Sequence, residues 1–430
     1  MTLGSFVLSL LTLWLDGALT DEKDGHFAIK FLVVNSPEGA RQVLSTIAGS
    51  MITVTGVVFS ITIVSLTLAS QQFGPRILRT FMSDRGNQFT LGTFTATYLY
   101  SLLVQRAISG LEDGEFVPHI SVAVGVGLAV LSLAVLIYFI HHIAVSIQAA
   151  HVVSVIGKDL IRTANRLYPE RFGGGTQAPP EFVFPEDFDR LAAPIMPEQS
   201  GYVRWIDDTD LMRIAQEHDL IVRIKRRPGK FADKAVLAQA YPLARVTEKV
   251  AEELGECFMI GSMRTQAQDV EFTINQLAEV ASRALSPGIN DPYTAMQCID
   301  RLIAGLVHLS QRRFPSPFRT DDTNTVRVIA ELTPWEELLR SGLDPIRQYG
   351  GGHVMVARHL LKAAGRMIPL LEDPAHVAET RRFADDVLAT FRSKAGDDPL
   401  LREVEASHRL TQSMEPGRHG SEGPPPESPR

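Results

Sequence analysis

The stretch Leu44–Ser70, LSTIAGSMITVTGVVFSITIVSLTLAS, contains no charged side chain. A helix rises about 1.5 Å per residue, so roughly 20 apolar residues cross the hydrocarbon core of a bilayer. This run is long enough to span with some tilt, and it reads as a transmembrane helix. Gly74-Pro75-Arg76, with Arg79 behind it, closes the run with a basic turn.

On either side of it lie three further apolar segments. Thr2 to Leu15 is apolar and ends at Asp16; it lacks the basic start and small-residue cleavage site of a secretory signal, so it reads as an abbreviated first span. Phe89 to Ile108 and His119 to Ile140 read as the third and fourth spans. Arg76, Arg79 and Arg85 fall between spans two and three, and Lys158, Arg162 and Arg166 follow span four, whereas the loop after span three carries Glu112, Asp113 and Glu115. Basic loops stay cytoplasmic, which predicts four spans with both termini in the cytoplasm.

At 100° per residue, Thr46, Gly49, Thr53, Gly56, Ser60 and Thr67 fall on one side of span two. Small and hydroxyl residues in such a stripe serve close helix packing, in which backbones approach and hydroxyls bond across helices or to their own preceding turn. The sharper reading is a wetted, hydroxyl-lined path for ions in an oligomer. Arg76, Arg79 and Arg85 read as membrane-interface residues that anchor the topology or touch lipid phosphates. Glu112, Asp113 and Glu115 would form a cation-attracting ring around an oligomer axis, although a solvated turn explains them as well.

Composition bounds the rest. The chain has 430 residues, 45% of them hydrophobic, and a mean hydropathy of +0.05 that averages an apolar front and a polar back. A formal net charge of -7 and a pI near 6.0 give no electrostatic case for nucleic acid as a partner. Cys257 and Cys298 are the two cysteines, which is no disulfide framework and no zinc pair; they read as packing residues. His142 and His151 lie nine apart, on opposite faces of one helix, so no metal is expected. No cofactor is expected either.

The helix of span four reads as continuing beyond the membrane as a stalk over 143–170, followed by a Gly- and Pro-rich linker over 171–200. A small β-rich module follows over 201–242, with strands at Gly201–Ile206, Leu220–Lys225 and Ala235–Tyr241, a helix at Asp207–His218 and a turn at Pro228-Gly229. Arg223, Lys225, Arg226, Arg227 and Lys230 form the chain's basic cluster, read as a solvated strand edge or as a contact for anionic headgroups. A helical domain occupies 243–414 and a disordered tail 415–430. Within the helical domain, Leu285-Ser286-Pro287-Gly288-Ile289-Asn290-Asp291-Pro292 makes an elbow: Pro287 and Gly288 end one helix, and Asp291 caps the next with Pro292 at its first position. Asp269, Arg283, Ser286, Asn290 and Asp291 would form a polar site there, against the plainer reading of a capped corner. No nucleophile with a base and orienting partner, and no phosphate loop, is recognised, so no catalytic residue is assigned.

Three strings, GVVFSITIVSLTLASQQFGPRILRTFMSDRGNQ, YFIHHIAVSIQ and RALSPGINDPYTA, resemble the bacterial membrane-protein family of domain of unknown function 2254. The resemblance extends over roughly residues 5 to 415 and implies an inner-membrane protein without an established activity. The expected fold class is membrane α-helical, with four transmembrane helices over about 2–19, 44–70, 89–108 and 119–140 in a domain of residues 1–142, followed by an α+β cytoplasmic region. The expected partners are the lipid bilayer and further copies of the chain. Two functions fit: an oligomeric channel or transport component for an ion or small solute, gated by its cytoplasmic part, or a membrane-anchored scaffold or sensor whose cytoplasmic half binds a partner or ligand.

Overall fold

The computed structural model describes residues 1–19, 36–74, 84–108, 117–168, 183–312, 316–395 and 399–417. These form two compact units, Met1–His151 and Val152–Arg430. Arg76 and Arg79, the acidic loop Glu112–Glu115, the first part of the linker (171–182) and most of the tail lie outside the described residues.

Among the described residues the first unit is a bundle of four long helices: α1 (Thr2–Leu19), α2 (Pro37–Phe73), α3 (Arg85–Ala107) and α4 (His119–Ser146). Two of them, α2 and α4, are long and apolar enough to cross a membrane; α1 is apolar but shorter. The third expected span, α3, lies at the centre of the bundle and packs on the other three. Its composition departs from a plain lipid-facing helix because its polar side chains turn inward: Thr90, Thr93, Thr97 and Ser101 are all buried. Leu44, Tyr100, Val104 and Val122 form one apolar cluster, and Val58, Phe94, Val135 and Phe139 a second.

Helix α2 begins before its apolar run. Ser36 caps it by accepting from Gly39 N at 3.1 Å, with Pro37 at the first position. The expected continuous stalk is instead two helices, since α4 ends at Ser146 and α5 (Ala149–Leu167) starts afresh. Nor does α5 stand clear of its unit. Val152, Val153, Ile156, Leu160 and Ala164 recur at helical spacing and are buried, and Gly305 of a later helix comes against Leu160.

The second unit is α+β. After a one-turn helix, α6 (Phe188–Leu191), come β1 (Ala193–Ile195), β2 (Gly201–Ile206), α7 (Asp208–Glu217), β3 (Ile221–Ile224), β4 (Phe231–Ala232) and β5 (Ala238–Tyr241). Then follow α8 (Glu248–Glu256), β6 (Phe258–Gly261), α9 (Val270–Ala284), α10 (Pro292–Ser310), β7 (Phe318–Thr320) and β8 (Val326–Ile329). Four helices complete it: α11 (Trp335–Gly350), α12 (Val354–Met367), α13 (Pro374–Ala395) and α14 (Leu401–Gln412). One sheet has the order β1-β5-β3-β8-β7, with β3 and β8 parallel; the other is β4-β2-β6, antiparallel.

The strands therefore extend past 201–242. Strand β6 interrupts a stretch with helical periodicity because Phe258 gains a buried place beside Ile206 on pairing with β2. The basic cluster is not on a sheet edge either, since β3, which carries Arg223, is the central strand of five. Three of its charges are met within the unit: Arg223 faces Asp189 and Glu331, Arg227 faces Glu337, and Lys230 faces both Glu271 and Glu337.

Candidate functional site on helix α2

Helix α2 has two unlike faces. Ala40, Leu44, Ala48, Val58, Ser65 and Ala69 are buried against the bundle. The stripe Thr46, Gly49, Thr53, Gly56, Ser60 and Thr67 lies on the opposite side, and all six residues are exposed. Packing inside the protomer therefore does not explain the stripe. Three of its hydroxyls are satisfied by their own helix: Thr46 donates to Gln42 O at 2.8 Å, Thr53 to Gly49 O at 2.8 Å and Thr67 to Ile63 O at 2.9 Å. Such a face tolerates lipid, another helix or water, because three of its four hydroxyl donors are not left bare.

The two glycines are harder to place against lipid. A Cβ built on Gly49 or Gly56 meets no atom within 4 Å, yet glycine inside a helix is about 1 kcal/mol less favourable than alanine. Among the described residues nothing offsets that cost. A close neighbour from outside the protomer would offset it, since glycine lets a second backbone approach.

The bundle also contains a buried polar seam, which the reading of the sequence did not single out. Asp16, at the end of α1, caps α4 from outside: its carboxylate accepts from Ile120 N at 2.8 Å, Ser121 N at 2.9 Å and Ser121 Oγ at 2.6 Å. Beside it the Tyr100 hydroxyl donates to Ser121 O at 3.0 Å and lies 3.0 Å from Thr12 Oγ1. Further along α3, Thr97 Oγ1 and Ser132 Oγ are 3.1 Å apart. At the far end, Asp84 caps α3 through Gly86 N at 2.9 Å, while its second oxygen meets His142 Nε2 at 2.6 Å. The sequence signal was available in a lone acid ending an apolar run and an Asp just before a helix.

Against known proteins, the family model described as "Predicted membrane protein (DUF2254)" matches residues 1–365. The chain belongs to this family. Relatives include the uncharacterized protein Mb1321c of Mycobacterium bovis and the uncharacterized protein Rv1290c of Mycobacterium tuberculosis. Each is 31% identical over 415 residues, covering 94% of this chain and 78% of the relative. No solved structure matches. Family membership makes this a membrane protein, and the printed descriptions assign no activity.

The remaining candidates fall in separate places. Arg85 is the exposed first residue of α3. The elbow does not gather its five residues: Asp269 caps the start of α9, a helix of 15 residues, and the other four lie at or beyond its far end, about 22 Å away at 1.5 Å per residue. Asp269 is instead buried against Arg264, which donates from Nε at 3.0 Å and Nη2 at 2.7 Å. Burial pushes its carboxyl above the usual range, opposed by that guanidinium. Arg283 pairs with Glu279 on its own helix. Asp291 caps α10, accepting from Thr294 N at 3.1 Å and Thr294 Oγ1 at 2.6 Å, and Asn290 takes a φ of 51° to turn the chain. Capping accounts for the corner. Among the described residues no group of His, Cys, Asp and Glu is placed to hold a metal.

Proposed function

We propose that this is a multi-pass, homo-oligomeric protein of the bacterial inner membrane that conducts or gates a small ion or solute. In this reading α1 to α4 cross the bilayer, both termini are cytoplasmic, and the C-terminal unit regulates opening without catalysing a reaction. The observation that carries it is the outward placement of the α2 stripe. Six small or hydroxyl residues face away from their own bundle, where they suit a shared axis between copies.

The test is water access. Single cysteines along α2, in a Cys257→Ala/Cys298→Ala background, are treated with a membrane-impermeant thiol reagent in intact membranes, and flux is measured in liposomes. Labelling at 53, 60 and 67 but not at Val54, Val58 or Ser65, with flux above empty liposomes, is the expected result. Protection along the whole helix with no flux would overturn conduction and leave the anchored scaffold or sensor.

A further inference from the structure

Within the C-terminal unit a cavity of about 410 Å³ opens among β3, β8, the first turns of α7 and the start of α9. That is within the range of sites for small organic ligands, about 300–1,000 Å³. Leu211, Met212, Ile224 and Val328 supply aliphatic wall, and Tyr168 adds an aromatic ring. Burial pushes the Tyr168 hydroxyl up to about 12, against the pull of Arg227, so it stays protonated and neutral.

Charged side chains also reach this wall, and each of them already meets a counter-charge. Asp269 holds the Arg264 fork, with Nε at 3.0 Å and Nη2 at 2.7 Å. Arg227 Nη2 lies 3.1 Å from Glu337, and Glu331 lies 3.6 Å from Arg223. Arg319 donates to the carbonyl of Ser316, and its guanidinium, pushed down by burial, is supported by the charge of Asp208. Four carboxylates and four guanidiniums thus meet at and behind the wall. Asp208 and Glu331 are exposed, so water screens them as well. The Gln268 amide is committed in the same way, bonding Ile206 N at 2.8 Å and Ile206 O at 2.9 Å.

This pairing decides what a guest can carry. An ion leaving water for the cavity needs a partner of opposite sign, and it finds each one taken. Drawing a partner away would strand a charge, which is costly in a partly buried pair. An uncharged guest leaves every pair in place and gains from the aliphatic wall. Thr209 and Thr333 supply uncharged polar groups for a head that donates or accepts one hydrogen bond.

We propose that this cavity binds a small uncharged amphipathic molecule, an apolar body with a hydroxyl, amide or ester head. Its body lies on Leu211, Met212, Ile224 and Val328. The proposal goes beyond the conduction reading and does not depend on how the membrane helices assemble.

The test uses the full chain in phosphatidylcholine nanodiscs at pH 7, with empty nanodiscs correcting the free concentration for partition into lipid. Octanol, octanoate and octylammonium share one chain length and differ in the charge of the head. Each is titrated while hydrogen exchange is followed over 206–212 and 326–333. Octanol is expected to slow exchange in both segments, at a free concentration about 10-fold or more below that needed by either ion. Ala330→Leu, which narrows the cavity, is expected to abolish that protection with the thermal midpoint unchanged. If Ala330→Leu fails to fold, the charge series on the parent chain decides alone. Protection by either ion at the same concentration as octanol, no protection by octanol, or protection that survives Ala330→Leu overturns the proposal.

Discussion

Replacing Gly49 and Gly56 together by leucine separates what the stripe does for the protomer from what it does between protomers. Within the protomer the new Cβ atoms meet nothing within 4 Å, and leucine is about 1 kcal/mol better than glycine in a helix. The fold is therefore expected to hold or to gain slightly. At a close-packed contact between copies, extra side chains cost about 1–3 kcal/mol each. Two sites together weaken association by about 30-fold to 10⁴-fold, at about 1.4 kcal/mol per tenfold. Subunit counting by photobleaching in liposomes, across a range of protein-to-lipid ratios, reads this directly. Gly127→Leu on α4 is the control, since Gly127 is also exposed with nothing near its Cβ position but lies off the stripe. An association curve that the double variant leaves in place, with the helix content intact, would refute the reasoning.

Other parts of the fold give sharper stability tests. A Cβ at Gly305 would lie 2.1 Å from the buried Leu160 Cδ2, so Gly305→Ala is expected to cost about 1–3 kcal/mol in denaturant melts, and less when combined with Leu160→Val. Asp321 holds the β7–β8 hairpin by accepting from Thr323 Oγ1 at 2.6 Å, Thr323 N and Thr325 N at 2.9 Å, and Arg327 Nε at 2.7 Å. The Thr323 hydroxyl is the largest influence keeping its carboxyl well below the usual range, with burial opposing and Arg327 adding to the effect. Because the folded value is depressed, this stabilisation is present above the ordinary carboxylate pKa of about 3.9 and fades as pH falls below it. Asp321→Asn should therefore lower the melting temperature at pH 7 and lessen its fall between pH 5 and 3. Cys257 and Cys298 should both resist alkylation at pH 8 until the protein unfolds, because both are buried and burial pushes Cys257 up to about 11 and Cys298 higher still.

Local signals were legible in the sequence and non-local ones were not. The caps at Asp207 and Asp291 are local chemistry: an Asp followed by a helix start, with Pro292 at the first position of the second; the cap at Ser36 was missed, since it precedes the apolar run that starts at Leu44. Amphipathic period likewise places α9 and α10. Strand β6 was missed because its four residues are too few to show alternation, and they become a strand through β2, more than fifty residues earlier. The position of β3 at the centre of its sheet depends on β8, a hundred residues later, so an edge was the natural inference from charge alone. The elbow failed for a related reason. Asp269 is polar and close in sequence, but a straight helix carries it away from the bend. The cavity is made by elements from α5 to the segment after β8, a juxtaposition that no single stretch encodes.

Hydroxyl content alone does not distinguish packing from a conduction path, and α2 and α3 show why. Both helices are rich in Thr and Ser, and in both many hydroxyls bond the carbonyl four residues back. In α3 the hydroxyls turn inward, where Thr97 meets Ser132 and Tyr100 meets Ser121, so they bind the bundle together. In α2 the small and apolar residues Ala40, Leu44, Ala48 and Ala69 take the inward face, which leaves the hydroxyls and both glycines outside. The proposed channel reading therefore stands or falls with assembly: without a second copy on that face, the stripe has no wall opposite and no path to line.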